Sequence, residues 1–268
     1  MPAEPLNTKH RSLLLSVHAA SLWPVWKWYA ARMTDGSDEP WGLLALVAAL
    51  AIVWWGRQPP AVKEHRRWLA LGTLLTLLYA AIFPSASALI RAAVAVAALG
   101  CTLIAVSGSR ARLPIIGLLL LSLPLLSSLQ FYLGYPMRVL TAIGASTLLR
   151  PFGMTVHRLG TAMEWEDRTV LIDAPCSGVK MLWVGLFLGC LLLAGRGDGS
   201  LRHGVKVLAA AVLAVLIGNS LRAAALFIAE THWLAPSHLI HDAIGVASFV
   251  LTCGSIAAAA TRRSHARF

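Results

Sequence analysis

The chain has 268 residues, 57% of them hydrophobic, with a mean hydropathy of +0.69 and a charged share of only 13%, about half that of an ordinary soluble domain. A disordered chain and a cytosolic globule are thereby excluded, because apolar runs of 16 to 21 residues recur over the whole length, as in a polytopic membrane protein and unlike a single signal sequence. The formal charge of +11 would raise nucleic acid as a partner in a soluble chain, but between membrane spans it is first a topology signal, so the partner expected is the lipid bilayer and not nucleic acid.

In chain order, the apolar runs and their flanks predict eight helices, over 12–31, 41–56, 68–84, 87–106, 113–133, 178–195, 204–229 and 241–261. The expected fold class is an all-α polytopic membrane protein, one integral-membrane domain over 1–268. The first span contains Pro24 and Lys27, yet Trp23, Trp26, Trp28 and Tyr29 beside them fit an interfacial aromatic anchor. With a cytoplasmic N-terminus, 14 of the 23 Lys and Arg collect in the inner segments, among them Arg57, Lys63, Arg66, Arg67, Arg110, Arg112, Arg196, Arg202, Arg262, Arg263 and Arg267. Five, Arg32, Arg138, Arg150, Arg158 and Arg168, fall in the outer segments, where Asp35, Asp38, Glu39, Glu164, Glu166, Asp167 and Asp173 also gather. That asymmetry predicts both termini in the cytoplasm.

The long connection over 134–177 is then on the outer side, and long loops tend to carry function. Its first part, Met137 to Arg150, carries apolar Val139, Leu140, Ile143, Leu148 and Leu149 between two arginines and reads as an amphipathic helix lying at the interface. Its second part, Trp165 to Pro175, has an extended pattern and ends in Ala174-Pro175, which disfavours helix immediately before Cys176. Cys101, Cys176, Cys190 and Cys253 show no metal-binding spacing, and Cys176 alone stands at a polar boundary. No metal or cofactor is expected.

Three residues share one depth. Cys176 and His241 stand at the outer starts of the sixth and eighth helices, and Arg222 lies 18 residues into the seventh, roughly 27 Å up a hydrocarbon core of roughly 30 Å. The set suits covalent catalysis. A thiolate is the effective nucleophile, favoured by a helix N-terminus or a nearby cation, and Ser177-Gly178 opens the sixth helix with Lys180 one turn on. His241 has the chemistry of a general base and acid, and Arg222 that of an oxyanion donor. Asn219 stands three residues before Arg222 on the same face, placed to orient it or to bind substrate backbone; Gly245, four residues after His241, permits close approach of another helix. Each residue also has an ordinary structural role open to it: packing for Cys176, snorkelling for Arg222, an interfacial position for His241 and an interfacial anchor for Lys180. Their joint placement is what points to a site, spread over the helices of 176–250.

At these positions the chain resembles the exosortase/archaeosortase family of membrane transpeptidases. The matching pieces are Ala174-Pro175-Cys176-Ser177-Gly178, Gly218-Asn219-Ser220-Leu221-Arg222 and His241-Asp242-Ala243-Ile244-Gly245, with Tyr135-Pro136-Met137-Arg138 and Leu148-Leu149-Arg150 upstream. The resemblance implies that Cys176, Arg222 and His241 form the catalytic set. It also implies a bacterial inner-membrane location, with the active site outside. Its substrates are exported proteins ending in a C-terminal sorting signal, a short motif of the Pro-Glu-Pro type followed by a transmembrane helix and a basic tail, which is cut off before transfer to an unknown acceptor. Two other readings stay open on the residues alone. A small transporter or channel would line its path with Arg222, Asn219, Glu230 and His241, and a non-catalytic assembly subunit would dock through the outer loop.

Overall fold

The computed structural model describes residues 8–36, 40–58, 61–197, 200–232 and 238–261. Arg262, Arg263 and Arg267, which contribute to the inner charge, and Asp38 and Glu39 of the outer set lie outside the described residues. The chain clusters into two compact units, residues 1–125 with 193–204 and residues 126–192 with 205–268.

The first unit is helical. It contains α1 (Thr8–Ser21), α2 (Trp23–Thr34), α3 (Trp41–Trp55), α4 (Val62–Ile82), α5 (Ala88–Ser107) and α6 (Arg112–Leu121). The span predicted over 12–31 is divided at Leu22, because Pro24 occupies the opening positions of α2, where its missing N–H breaks no helical bond and its ring favours a fresh start. α4 and α5 run antiparallel: Gly72 faces Ala98, Cys101 and Thr102, and His65 Nδ1 meets the Ala105 carbonyl at 2.8 Å. The ends of α5 are set locally, by the Ser87 hydroxyl accepting from the Ile90 N–H at 3.5 Å and by Gly108 in the left-handed region at φ 65°. α1 is tied to this pair by His18, whose Nδ1 and Nε2 lie 2.9 Å from the hydroxyls of Thr102 and Thr76. A buried polar group needs such partners in an apolar surrounding.

The second unit contains α7 (Leu126–Leu149), a small sheet, 3-10 turns at Arg150–Phe152 and Ala174–Ser177, and the bulk of α8 (Val179–Arg196), α9 (Leu201–His232) and α10 (His238–Thr261). The run predicted as one helix over 113–133 stops at Leu121 and resumes at Leu126, since Pro124 removes a helical donor and pushes Leu123 out of helical geometry. The amphipathic segment expected over 137–150 is helical, but as the second half of α7 and not as a separate element. What remains of the connection over 134–177 is a meander of β1 (His157–Leu159), β2 (Ala162–Trp165) and β3 (Arg168–Leu171), antiparallel in that order with Met163 paired to Arg158 and to Val170. Its two tight turns carry Gly160 at φ 61° and Glu166 at φ 53°, the left-handed geometry that two-residue hairpin loops demand.

A core fastens this sheet to the helices: Met154, Met163 and Ile172 pack with Ala142, Ala145 and Leu149 of α7 and with Ala224 and Phe227 of α9. Helix contacts within the unit depend on small residues. A side chain at Gly144 would run into Ser220, and one at Gly218 into Thr252, so α7 and α10 each approach α9 closely there.

The protein is predominantly helical and membrane-spanning. Among the described residues α5, α8, α9 and α10 are each long and apolar enough to cross a bilayer, and α6 with α7 makes a fifth if that broken pair is one span. α3 has 15 residues, only about 22 Å of helix against a core of roughly 30 Å. α4 opens on Lys63, Glu64, His65, Arg66 and Arg67, which leaves Trp68 to Ile82 as its apolar part.

Candidate functional site

The site is built where the sheet hands the chain back to the helices. After β3, Asp173 leads into the 3-10 turn Ala174–Ser177, with Pro175 in its opening positions and the Cys176 N–H donating to the Asp173 carbonyl at 3.0 Å. Gly178 closes the turn at φ +81°, and α8 begins at Val179. Cys176 therefore stands just before the helix N-terminus, on a turn of its own. Lys180 is exposed.

Two amide side chains hold that turn. Gln130 of α7 donates from Nε2 to the Ala174 carbonyl at 3.1 Å and accepts at Oε1 from the Ser177 hydroxyl at 2.9 Å, bracketing Cys176 on both sides. Asn219 of α9 donates from Nδ2 to the Cys176 carbonyl at 3.0 Å and to the Thr141 hydroxyl at 2.9 Å. A carbonyl only accepts, which fixes which end of each amide faces the turn. Asn219 is 2% exposed, so both of its N–H groups are committed to holding structure. It orients the backbone of Cys176 and makes no hydrogen bond to Arg222. Gly178 is needed twice over. Its φ disfavours any L side chain, and a Cβ there would lie 2.9 Å from Asn219 Nδ2.

Arg222 and His241 form the second pair. Arg222 Nη2 lies 3.4 Å from His241 Nε2. Guanidinium offers donors only, so Nε2 is the acceptor in this contact and the imidazole proton belongs on Nδ1. Arg222 Nε is buried and has no hydrogen-bond partner among the described residues. It faces the backbone of α10 at Gly245, where a Cβ would sit 3.7 Å away. The close approach read into Gly245 is thus made by the arginine side chain.

Cys176 and Arg222 are linked through α9: Asn219 grips the backbone of Cys176, and Arg222, three residues on, meets His241. Cys176 itself is half-buried against the core that holds the sheet to α7 and α9, and among the described residues its thiol makes no hydrogen bond. Sequence reasoning missed Gln130 and Thr141. The signal was there in part, since a neutral amide in an apolar helical run calls for a buried partner, but nothing in the sequence names that partner.

A family model described as transmembrane exosortase matches residues 9–258 of the chain. No curated protein and no solved structure matches it significantly.

Proposed function

Because the chain belongs to the transmembrane exosortase family, a membership that supports processing of sorting signals in general, we propose that it is a cysteine transpeptidase in which Cys176, His241 and Arg222 carry the chemistry. Its substrates are exported proteins whose C-terminal signal combines a short Pro-Glu-Pro-type motif, a transmembrane helix and a basic tail. The reaction takes place on the outer face of the inner membrane, with both termini in the cytoplasm and the apolar segments from 12–31 to 241–261 crossing in eight passes. The 14-to-5 division of Lys and Arg supports that orientation.

In the first half-reaction His241 Nε2 takes the thiol proton and Cys176 Sγ attacks the scissile carbonyl carbon, forming a tetrahedral oxyanion. Arg222 donates to that oxyanion. The intermediate collapses as the C–N bond breaks, and His241 returns the proton to the leaving amine, which departs with the signal helix. A thioester to Cys176 remains. An acceptor nucleophile, deprotonated in turn by His241, attacks the thioester and releases the thiol.

The observation that carries this reading is the buried, unpartnered Arg222 Nε beside the Arg222–His241 contact. A buried guanidinium donor without an acceptor is costly, and the oxygen of a bound carbonyl is the acceptor this site calls for. Processing of a reporter protein ending in a Pro-Glu-Pro motif, an apolar helix and a basic tail tests it, read as the ratio of cut to uncut reporter at matched enzyme level. Cys176→Ser is expected to abolish cutting, because a hydroxyl is far less acidic than a thiol. His241→Gln should slow it by roughly 10²–10⁴-fold, whereas Cys101→Ala, Cys190→Ala and Cys253→Ala should cut normally. Wild-type cutting by Cys176→Ser excludes covalent catalysis at this residue.

A further inference from the structure

The first unit holds a recess that the proposed chemistry does not use. It is half-open, with a cavity volume of about 50 Å³, and is lined by Pro24, Val25 and Trp28 of α2, Tyr79 of α4, Phe83 just beyond it, and Ala88 and Arg91 of α5. Two of its polar groups are held ready and not consumed. Tyr79 is 7% exposed, and its hydroxyl is buried without a hydrogen-bond partner among the described residues. Arg91 stacks its guanidinium 4.6 Å above the Phe83 ring and donates from Nη1 to the Phe83 carbonyl at 3.2 Å. Among the described residues that is the one hydrogen bond of its five N–H donors. The Phe83 ring also meets Tyr79 edge-on at 5.6 Å, so the aromatic ring braces both the cation and the phenol.

We propose that this recess binds the phosphate of an anionic phospholipid, with Arg91 and the Tyr79 hydroxyl as the donors. The depth fits, because Phe83 follows the last turn of α4 and Ala88 and Arg91 open α5, and helix ends flanked by aromatic residues sit at the headgroup level of a bilayer. The chemistry fits as well. A guanidinium presents a fork of N–H groups to two phosphate oxygens, and a phenol adds a third donor. Pro24, Val25 and Ala88 offer an apolar wall to the glycerol and the upper acyl chains. A free phosphate has the same charge but gains nothing from that wall, which is why the lipid is the occupant named.

The test uses the purified full chain in detergent and short-chain phosphatidylglycerol, with binding followed by native mass spectrometry. One equivalent is expected to bind, with affinity weakened about tenfold or more by Tyr79→Phe, since a hydrogen bond to a charged group is worth that much, and further by Arg91→Gln. The matching diacylglycerol, which lacks the phosphate, should not be retained, and inorganic phosphate should bind far more weakly than the lipid. Equal retention of diacylglycerol overturns the proposal, as does inorganic phosphate binding as tightly as the lipid. Tyr79→Phe removes a single oxygen and leaves the ring in place, so wild-type lipid binding by that variant also overturns it, whatever Arg91→Gln does to folding.

Discussion

At the scale of single residues the arginine is the most discriminating probe, because charge and donor geometry can be separated. Arg222→Lys keeps the cation but loses the planar fork that serves His241 through Nη2 and leaves Nε for an acceptor. A lysine that merely replaced a snorkelling charge would cut the reporter normally. A lysine that cannot align with a developing oxyanion should cut it roughly 10²–10³-fold more slowly, with uncut substrate still co-purifying, because the loss falls on the transition state. Gly245 gives a steric counterpart. Alanine there stays in ordinary contact at 3.7 Å, whereas the branches of Gly245→Val reach into the space of the guanidinium and should reproduce the arginine defect.

At the scale of elements the question is what holds a 3-10 turn of four residues in place between a sheet and a helix. The turn has little regular structure of its own, and the amides of Gln130 and Asn219 reach it from α7 and α9. Gln130→Ala removes both of its bonds to the turn, each worth about 1 kcal/mol. Cutting is expected to fall with little change in protein level, since Gln130 is only half-buried. Gln130→Glu should not rescue it. A carboxylate still accepts from Ser177 but has no proton for the Ala174 carbonyl. Gly178→Ala is expected to be worse. It adds about 1–2 kcal/mol of left-handed strain and drives its Cβ toward Asn219, so both stability, read as the thermal midpoint of the purified protein, and cutting should drop. An unchanged midpoint would separate the glycine from the clamp.

At the scale of the whole molecule the charge distribution makes a prediction independent of the site. A reporter fused within 156–168 falls in the sheet region and should be found outside the inner membrane, and one at the C-terminus inside. A cytoplasmic sheet would put Cys176 on the wrong side for exported substrates. Such an outcome would remove the sorting reaction even if the cysteine proved reactive. Arg112 and Glu64, paired in the first unit, belong to the segments assigned to the inner face. A reporter beside Arg110 should therefore agree with the C-terminal one.

The membrane class and the apolar elements were legible in the sequence, because hydrocarbon imposes long apolar runs that no soluble fold needs. The motif residues were legible too. Cys176, Asn219, Arg222 and His241 announce themselves as polar or reactive groups at the edges of such runs. Where the helices break was only partly legible. Pro24 opens α2 and Pro124 lies in the break between α6 and α7, while Pro136 stays inside α7; the same residue type breaks one helical run and is carried by another, and packing decides which. The three strands were too short for their alternation to rise above a loop pattern, and it took the contact of Met163 and Ile172 with α7 and α9 to order them. Tertiary structure alone decided that Asn219 serves the Cys176 backbone and not Arg222, and that Gln130, 46 positions before the cysteine, completes the clamp. Hydrogen bonds between residues distant in the chain depend on how helices pack, and a sequence states what a side chain can donate or accept without stating which partner arrives.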